Sequence, residues 1–407
     1  MPTKILIIND YSINNEDAVG ITLRSFFNND CFEVRDFYRM DKNLEKDSTF
    51  ISYKVPNTVN LIDSHLRKNR NGISKNEMAN LSKTTFVGKI KNTVKFISEN
   101  FFFLPQNSSF LREITEYNPD YIYTIGGSLY SLKLSYLISK KIKKPLIIHY
   151  MDNWIETLYK DNPIINRVWK KEVKKITHYA HKVLVISPKM KVNYEVYFER
   201  KNMYTLFNVS DEFFINKINK KVKDSINISY IGGLHLNRYK KILEIEKVIK
   251  DRFNRYNISL NIYTNSNIND DIINKFDCQI THFHPQLRHD DISEAYSDTD
   301  ILLHVEADDD DTILYTKYSL STKISEYLFS GLPIIYFGPA NLSVAEFLME
   351  NRLAKVTTNK EDFQNSLQQF IDDENLRISF GGKGKIFATK NLSRKKAEQV
   401  LNSVFKD

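Results

Sequence analysis

The chain has very few cysteines. Its 407 residues contain two, Cys31 and Cys278, which are too few and too widely spaced for a disulfide framework or a zinc site. We therefore expect both to be small buried side chains.

Long apolar runs are missing as well. Hydrophobic residues make up 42% of the chain, yet no run approaches the length of about 18 residues that a membrane-spanning helix needs.

A secretory signal would show a short basic region followed by an apolar stretch. No such pattern precedes the first strand-like run, residues 4–8. We therefore expect a cytoplasmic protein.

Positive charge exceeds negative charge. The chain carries 58 lysines and arginines against 50 aspartates and glutamates, which gives a net charge of +8 and a pI near 9.0. This excess favours an anionic partner, such as nucleic acid, a membrane surface or a nucleotide diphosphate. Because no zinc-finger spacing, arginine-rich tract or RNA-binding signature is present, we expect no nucleic-acid partner.

Short apolar runs alternate with helical patterns along most of the chain. The runs are 5–8, 121–125, 146–149 and 183–186, then 228–231, 260–263, 301–305 and 334–337. This alternation predicts two parallel sheets with helices on both faces, and 407 residues suffice for two domains. A polar, lysine-rich stretch up to residue 224 has the composition of a linker. We predict an N-terminal domain over 1–210, with an insertion at about 40–118, and a C-terminal domain over 211–387.

The segment 321–339 is the most informative one. Ser321 or Thr322 can cap a helix at its start, Gly331 suits the left-handed residue after its end, and a buried strand follows Pro333. On helical spacing, Lys323, Glu326 and Ser330 share one face. Periodicity alone is equally typical of an amphipathic helix whose charges face water.

This segment resembles the helix in the C-terminal domain of GT-B glycosyltransferases, especially those similar to glycosyltransferase family 4. The shared pattern is Lys-x-x-Glu-Tyr-Leu-x-x-Gly-x-Pro-Ile. The resemblance implies two doubly wound, Rossmann-like α/β domains that face a central cleft. It also implies a C-terminal helix (388–407) that returns to the N-terminal domain, here preceded by a loop with Gly381, Gly382 and Gly384. In that family the glutamate, here Glu326, contacts the ribose of a nucleotide sugar, and no cofactor or metal is required.

A second motif lies after the strand that ends at residue 231. Gly232 and Gly233 let backbone approach a ligand closely, and the helix that follows offers unpaired N–H groups to phosphate. The resemblance implies that an Arg/Lys pair here stabilises the departing diphosphate, and we assign it to Arg238 and Lys240, with Lys241 as the neighbouring alternative. The resemblance further implies donor contacts at His284 and at Gly20, although a glycine before a helix is equally typical of a plain turn. We add Ser319 and Ser321, whose loop could bind phosphate through backbone N–H groups and hydroxyls, and Lys323 as a phosphate or loop partner. Retaining family members carry a glutamate where this chain has Tyr318, so the stereochemical outcome stays open.

Acceptor-side candidates follow two strands of the N-terminal half. Asp152 or His149 could accept the proton of an acceptor hydroxyl, because each can lie at the carboxyl end of a strand. Asp152 could equally cap a helix, and His149 could be a core histidine. We add Gly126, Gly127 and Trp154 as acceptor-binding positions.

Two segments allow opposite interpretations. The acidic run 306–311 could bind a divalent cation, but it is also typical of a solvated loop, and we predict no metal site. The segment from Phe86 to Leu104 has a basic amphipathic pattern that ends in aromatic residues. Such a helix can lie on an anionic membrane surface, but it can also serve a protein core.

Together these features predict a glycosyltransferase of the hexosyltransferase type. We expect it to move a sugar from a nucleotide diphosphate sugar, a UDP-sugar in our interpretation, to a lipid-linked or glycan acceptor. The pathway would be surface polysaccharide synthesis, such as capsule or O-antigen, at the inner face of the plasma membrane. The alternatives are a non-catalytic nucleotide-sugar-binding partner of another transferase and a nucleotide-sugar epimerase of the same architecture.

Overall fold

The computed structural model describes residues 2–15, 18–39, 50–54, 93, 96–97, 109–210, 225–264, 270–285, 287 and 292–406. The lysines of the segment 86–104 and the linker 211–224 lie outside these residues, so the structure does not bear on the interpretations given to them. The chain forms two compact units. Unit 1 comprises residues 1–207 and 397–407, and unit 2 comprises residues 208–396.

Unit 1 is built on a parallel sheet. Its described strands are β1 (Thr3–Asn9), β2 (Phe32–Tyr38), β3 (Ile51–Lys54), β4 (Tyr121–Thr124), β5 (Leu146–Tyr150), β6 (Lys182–Val185) and β7 (Tyr204–Thr205), in the order β3-β2-β1-β4-β5-β6-β7. Its described helices are α1 (Ala18–Phe27), α2 (Ser109–Tyr117), α3 (Leu129–Ile142), α4 (Trp154–Thr157), α5 (Pro163–Tyr179) and α6 (Pro188–Tyr197).

Unit 2 repeats this plan. Its described strands are β8 (Ser225–Ile231), β9 (Asn257–Thr264), β10 (Thr281–Pro285), β11 (Ile301–Val305), β12 (Ile334–Phe337) and β13 (Lys355–Thr357), in the order β10-β9-β8-β11-β12-β13. Its described helices are α7 (Arg238–Arg252), α8 (Asp270–Ile273), α9 (Ile292–Ser297), α10 (Asp310–Thr316), α11 (Thr322–Ser330), α12 (Ser343–Glu350), α13 (Lys360–Asp372) and α14 (Glu374–Asn391). The last helix, α15 (Arg394–Lys406), begins in unit 2 and ends in unit 1.

All described strand pairs in both sheets are parallel, which confirms the predicted α/β architecture. The strand order reverses between β1 and β4 in unit 1 and between β8 and β11 in unit 2. Loops that leave such a switch point diverge to opposite faces of the sheet, and ligands of doubly wound folds bind in the crevice between them. Functional residues are therefore expected near these two switch points, at the carboxyl ends of the strands.

Helix α11 has the predicted limits. The Ser321 side chain accepts a hydrogen bond from the Lys323 amide (3.3 Å) and caps its start. Gly331 ends it with φ of 72°, a left-handed conformation that glycine adopts without strain. Tyr327 anchors the helix to the sheet, because its buried hydroxyl accepts the Ile231 amide (2.8 Å) and lies 3.3 Å from the Leu303 carbonyl.

The predicted loop around Gly381, Gly382 and Gly384 is wrong, because all three residues lie inside α14. A Cβ atom on Gly381 would lie 1.8 Å from the Gly331 carbonyl oxygen, and one on Gly384 would lie 3.1 Å from the side chain of Leu328. Helix α14 therefore packs against the end of α11 more closely than a side chain would allow. This contact outweighs the low helix propensity of glycine.

The structure also places the two cysteines and the C-terminal helix. Cys31 and Cys278 are both exposed, so their predicted burial is wrong; each lies in a turn rather than in a strand. The C-terminal helix is present as α15, and its Phe405 ring packs against Phe32 (5.4 Å) and Tyr121 (5.1 Å) of unit 1.

Among the described residues, no helix combines the length and the apolar character needed to cross a bilayer.

The interior of unit 1 holds two titratable groups with opposite pKa shifts. His149 is fully buried, and burial lowers its pKa to about 3. Burial also raises the pKa of Asp36 to about 6, although its carboxylate accepts hydrogen bonds from the Ser12 hydroxyl (2.6 Å), the Ser52 hydroxyl (2.9 Å) and the Ile13 amide (3.1 Å). Asp36 thereby joins the loop after β1 to strands β2 and β3.

Alanine substitutions at two adjacent glycines test the packing of α14. We expect Gly381→Ala to lower the free energy of unfolding by about 1–3 kcal/mol, because the new methyl group would overlap the Gly331 carbonyl. Gly382→Ala is the matched control: no atom lies within 4 Å of its added Cβ, so it should stabilise the helix by about 0.5–1 kcal/mol. Urea unfolding measures both, and equal effects would contradict the close packing.

Acid should act on His149 and Asp36 in opposite directions. Below pH 6.5 unfolded His149 takes up a proton that the folded form refuses, so stability is lost as the pH falls. Folded Asp36 takes up a proton below about pH 6, above the range of the unfolded carboxylate, so stability is gained as the pH falls towards 4. We compare how much the free energy of unfolding changes when the pH falls from 7 to 4.5. Relative to the change in wild type, that of Asp36→Asn should be about 2 kcal/mol less favourable, and that of His149→Gln about 2–3 kcal/mol more favourable. Parallel stability curves for the three proteins would refute both shifts.

Candidate functional site

The loop after β8 begins at the switch point of unit 2. The Gly232 amide donates to the Tyr263 carbonyl (2.9 Å), and the Gly233 carbonyl accepts the Tyr230 hydroxyl (2.8 Å). These bonds hold the two predicted glycines directly above the carboxyl end of β8.

The same loop ends in a strained turn. Leu236 and Asn237 both have left-handed backbone conformations, with φ of 60° and 57°, which are unfavourable for a residue with a side chain. The Asn237 side chain donates to Asp309 Oδ2 (2.9 Å), and so ties the turn to the segment after β11. The turn sets the position at which α7 begins.

Arg238, the first residue of α7, forms a two-pronged ion pair with Glu306. Its Nη2 lies 3.0 Å from each carboxylate oxygen, and its Nε lies 3.3 Å from Oε2. Burial opposes ionisation of Glu306, but the Arg238 guanidinium and the His304 contact together outweigh it and lower the pKa of this carboxyl to about 2. His304 adds a third member, with its Nε2 3.2 Å from Glu306 Oε1. Both partners of the pair are therefore charged at neutral pH.

The structure separates the two cations that we assigned to the diphosphate. Lys240 is exposed, and on helical spacing it lies on the far side of α7 from Arg238. Lys241 is the lysine on the side of Arg238: it is 7% exposed and binds Asp308 Oδ2 at 2.6 Å and Glu244 Oε1 at 3.0 Å. The geometry therefore groups Arg238 with Lys241 rather than with Lys240.

The acidic run after β11 is solvated only in part: Asp308, Asp310 and Asp311 are exposed, as expected, but several members of the run have structural contacts. Glu306 is 3% exposed, Asp308 binds Lys241, and the Asp309 side chain caps α10 by accepting the Thr312 amide at 3.1 Å. These three carboxylates have partners because β11 lies next to β8 and its exit meets the start of α7. Among the described residues, no cluster of three or more His, Cys, Asp or Glu side chains is arranged to hold a metal ion.

The polar face of α11 carries a second charged pair. Lys323 Nζ lies 2.9 Å from Glu326 Oε2, and the two side chains are 32% and 23% exposed. Glu326 also acts on buried Tyr296: burial raises the pKa of that phenol well above its ordinary value, and the Glu326 charge adds to the shift. A carboxylate in this half-buried position can still accept hydrogen bonds from a ligand.

The other predicted donor residues have structural contacts of their own. Ser321 caps α11, and the Ser319 amide donates to the Thr316 carbonyl (3.0 Å). Tyr318, which takes the place of the family's glutamate, is 4% exposed. His284 lies on the edge strand β10, where it stacks on Tyr263 at 4.6 Å with its Nε2 2.9 Å from Asn261 Oδ1.

In unit 1 the structure brings Gly127 and Trp154 together. A Cβ on Gly127 would lie 3.1 Å from the Trp154 ring, so the indole lies flush against this backbone. Gly126 has a left-handed φ of 68° and directs the chain from β4 towards α3. Asp152 follows β5 and is half-buried, and the residue that precedes α4 as its cap is Asn153.

His149 and Gly20 have different positions from those predicted. His149 is 0% exposed on β5, with its Nδ1 2.6 Å from the Tyr123 hydroxyl, so it matches the core interpretation and cannot reach a substrate without rearrangement. Gly20 lies within the first turn of α1 rather than before it, and a Cβ there would be 2.1 Å from the Asn15 carbonyl oxygen. Its small size serves contact between helix and loop.

Sequence reasoning missed the most buried charged contact of the site. Glu306 is 68 residues from Arg238, and no spacing rule connects them. A usable signal was present nonetheless, because both residues come directly after or soon after adjacent strands, β11 and β8, whose carboxyl ends meet at the switch point.

No protein-family model matches the chain, and no curated protein matches it either. Solved structures do share its architecture over the whole length. Alr3699/HepE from Anabaena, in complex with UDP and glucose, is 13% identical over 100% of both chains with a TM-score of 0.64. A mutant of S. aureus TarM, in complex with fondaparinux, α-GlcNAc-glycerol and UDP, is 10% identical over 100% of both chains with a TM-score of 0.61.

WaaG, a glycosyltransferase involved in lipopolysaccharide biosynthesis, is 12% identical, with 98% of this chain and 99% of WaaG covered and a TM-score of 0.58. Identities this low show a shared fold. The chain has the GT-B fold, and its described strands form sheets of seven and six.

Proposed function

We propose that the chain is a glycosyltransferase that moves a sugar from a nucleotide diphosphate sugar to a hydroxyl group of an acceptor. The observation that carries the proposal is the arrangement at the switch point of unit 2. There, the Gly232 turn and the first turn of α7, which carries Arg238, lie next to helix α11 with Glu326 on its half-exposed face.

Each part of this arrangement suits one part of a nucleotide sugar. The carboxylate of Glu326 can accept hydrogen bonds from both ribose hydroxyls. The amides at the start of α7 and the Arg238 guanidinium can bind the diphosphate. We propose a UDP-sugar as donor, since HepE binds UDP-glucose and TarM binds UDP.

In the proposed reaction the bond between the sugar carbon and the diphosphate oxygen breaks, and its electron pair stays on the diphosphate. Arg238 stabilises this developing charge, and Lys241 is better placed than Lys240 to assist it. The acceptor oxygen forms the new bond to the sugar. Its proton passes to Asp152 in an inverting reaction, or to a diphosphate oxygen in a retaining one. Buried His149 is not part of this proposal.

For the acceptor we propose a lipid-linked or glycan molecule in surface polysaccharide synthesis, such as capsule or O-antigen. WaaG acts in lipopolysaccharide biosynthesis, and TarM was crystallised with α-GlcNAc-glycerol, so glycan-related ligands occur on this fold. Buried Tyr318, in the place of a family glutamate, keeps one alternative open: a partner protein that binds the donor without turnover.

We further propose that the protein works on an anionic membrane surface. Residues 133–201 contain 16 lysines and arginines against 6 acidic residues, a net charge of +10 in a chain of +8. Helix α5 exposes a stripe of basic and aliphatic residues, bordered by Glu172, whose Oε2 lies 4.0 Å from Lys175 Nζ. Its members are Ile164, Arg167, Val168, Lys171, Lys175 and His178. Lysine and arginine side chains near an anionic lipid surface each contribute about 1 kcal/mol to binding.

Thermal shift measurements test the donor. At about 100 times its dissociation constant, a bound UDP-sugar should stabilise the wild type by roughly 2.7 kcal/mol. We expect Glu326→Ala to weaken binding about tenfold, because two ribose hydroxyls lose their acceptor. Glu350→Ala, which removes an exposed glutamate from α12, is the control and should match wild type. A flat response of the wild type to UDP-, GDP-, dTDP- and CMP-sugars would count against the proposed function.

Sedimentation with vesicles containing phosphatidylglycerol tests the membrane surface. The triple variant Arg167→Glu, Lys171→Glu, Lys175→Glu should bind about a hundredfold more weakly, since three attractions of about 1 kcal/mol each are lost. A parallel variant with Lys89, Lys91 and Lys95 changed to glutamate decides between the two interpretations of the segment 86–104. Neutral phosphatidylcholine vesicles are the control, and undiminished binding by the α5 variant would contradict a role for that stripe.

A further inference from the structure

We propose that Glu306 is a positioning residue that fixes the Arg238 guanidinium, so that the part of the guanidinium not bound to Glu306 is held ready for the diphosphate of the donor. This inference rests on the function proposed above. It assigns to Glu306 a role that acts through Arg238 and not through contact with the substrate.

The hydrogen bonds define which part of the guanidinium is used. Glu306 accepts from Nε and twice from Nη2 of Arg238. Arginine has five N–H donors in one plane and keeps its charge, so pairing along the Nε–Nη2 edge leaves Nη1 outside the pair. The Arg238 side chain is still 15% exposed whereas that of Glu306 is 4% exposed. The accessible part of the pair is therefore the cation.

Glu306 itself has little freedom to move. His304 contacts Oε1 from the side of β11 at 3.2 Å, and the His304 ring stacks on Tyr336 of β12 at 5.9 Å. Behind the carboxylate, a Cβ on Gly338 would lie 2.7 Å from the Glu306 carbonyl oxygen and 3.2 Å from its Cβ. Glycine at this position lets the chain after β12 close directly on Glu306.

Charge explains why a carboxylate is needed there. An arginine buried without a counter-charge is strongly unfavourable, and Tyr230, whose hydroxyl also forms a hydrogen bond with the guanidinium, stays neutral because burial raises its pKa to about 12. The Glu306 charge also acts to keep Arg238 protonated against its burial. Because the pair is neutral as a whole, Arg238 contributes oriented N–H donors more than net charge. Donors fixed in advance need no rearrangement when negative charge develops on the leaving group.

The test compares UDP with UMP, which differ by the phosphate that Arg238 would hold. Isothermal titration gives both dissociation constants for wild type, Glu306→Gln, Arg238→Ala and the double variant. We expect Glu306→Gln to reduce the preference for UDP over UMP about tenfold, the effect of misplacing one charged hydrogen bond. In the Arg238→Ala background, the added Glu306→Gln change should have no further effect on that preference.

Glu246→Gln is the matched control. Glu246 is also a buried glutamate of unit 2 and lies on α7, but its carboxylate accepts from the Thr281 hydroxyl and the Asp277 amide instead of an arginine. It should leave the preference for UDP unchanged even where it lowers the melting temperature. If Glu306→Gln does not fold, His304→Gln loosens Glu306 from its other side and should reduce the preference in the same direction by a smaller factor.

The outcomes separate this inference from the proposed function. A wild type that binds neither UDP nor UMP overturns both. A wild type that prefers UDP, together with a Glu306→Gln variant of equal preference, overturns the inference alone. The same holds if Glu306→Gln and Arg238→Ala act additively on the preference, because independent effects would mean that Glu306 does not act through Arg238.

Discussion

The candidate site depends on the hydroxyl group of Tyr327, which joins helix α11 to strands β8 and β11. The middle of strand β8 pairs with the beginning of β11, where Ile228 faces Ile301. Beyond this point the Tyr327 hydroxyl reaches backbone groups of both strands. It satisfies buried peptide groups that would otherwise lack partners, each of which would be unfavourable by about 1–3 kcal/mol. The divergence of the two strands is thus stabilised by a single side chain from α11.

This arrangement links the donor helix to the loops that flank the opening. Because Tyr327 follows Glu326 directly, the contact that anchors α11 also determines where the Glu326 carboxylate lies. The strands that Tyr327 joins lead to Arg238 on one side and to Glu306 on the other, and these two residues then meet as a buried ion pair. Helix α14 supports the other end of α11, where Gly381 allows it to approach the Gly331 carbonyl.

Unit 1 also contains a buried ion pair, between Arg39 and Asp10 (3.0 Å), but its fully buried Asp36 and His149 have no charged partner among the described residues. In unit 2 the buried carboxylate of Glu306 has a cationic partner and a lowered pKa, whereas Asp36 in unit 1 has neutral donors and a raised pKa, and His149 is held neutral. Neutral donors compensate only part of the desolvation of a charge, and an arginine compensates more of it. The excess positive charge of unit 1 lies instead on its outer helices, where water or an anionic surface can accommodate it.

Local patterns in the sequence were sufficient for elements that bury continuous apolar runs. All eight predicted runs are strands, and the caps of α11 lie at Ser321 and Gly331 as expected. Polar strands such as β2, with Arg35 and Asp36, and the edge strand β10 escaped prediction because their alternating or mixed composition is also typical of loops. The resemblance to GT-B enzymes rested on one helix and one glycine turn, and the fold agrees with it.

Tertiary structure alone decided the contacts between segments far apart in the chain. Glu306 became the partner of Arg238 because β11 and β8 are neighbours in the sheet, Lys241 rather than Lys240 shares the face of Arg238, and His149 lies in a closed core. The glycines of α14 form a helix because another backbone lies against them. The sequence by itself therefore determined the apolar strands and the capped helix, since these depend on neighbouring residues, and the excess of positive charge, which depends on composition alone. Which charges meet and which become buried depends on strand order, and only the folded chain establishes that order.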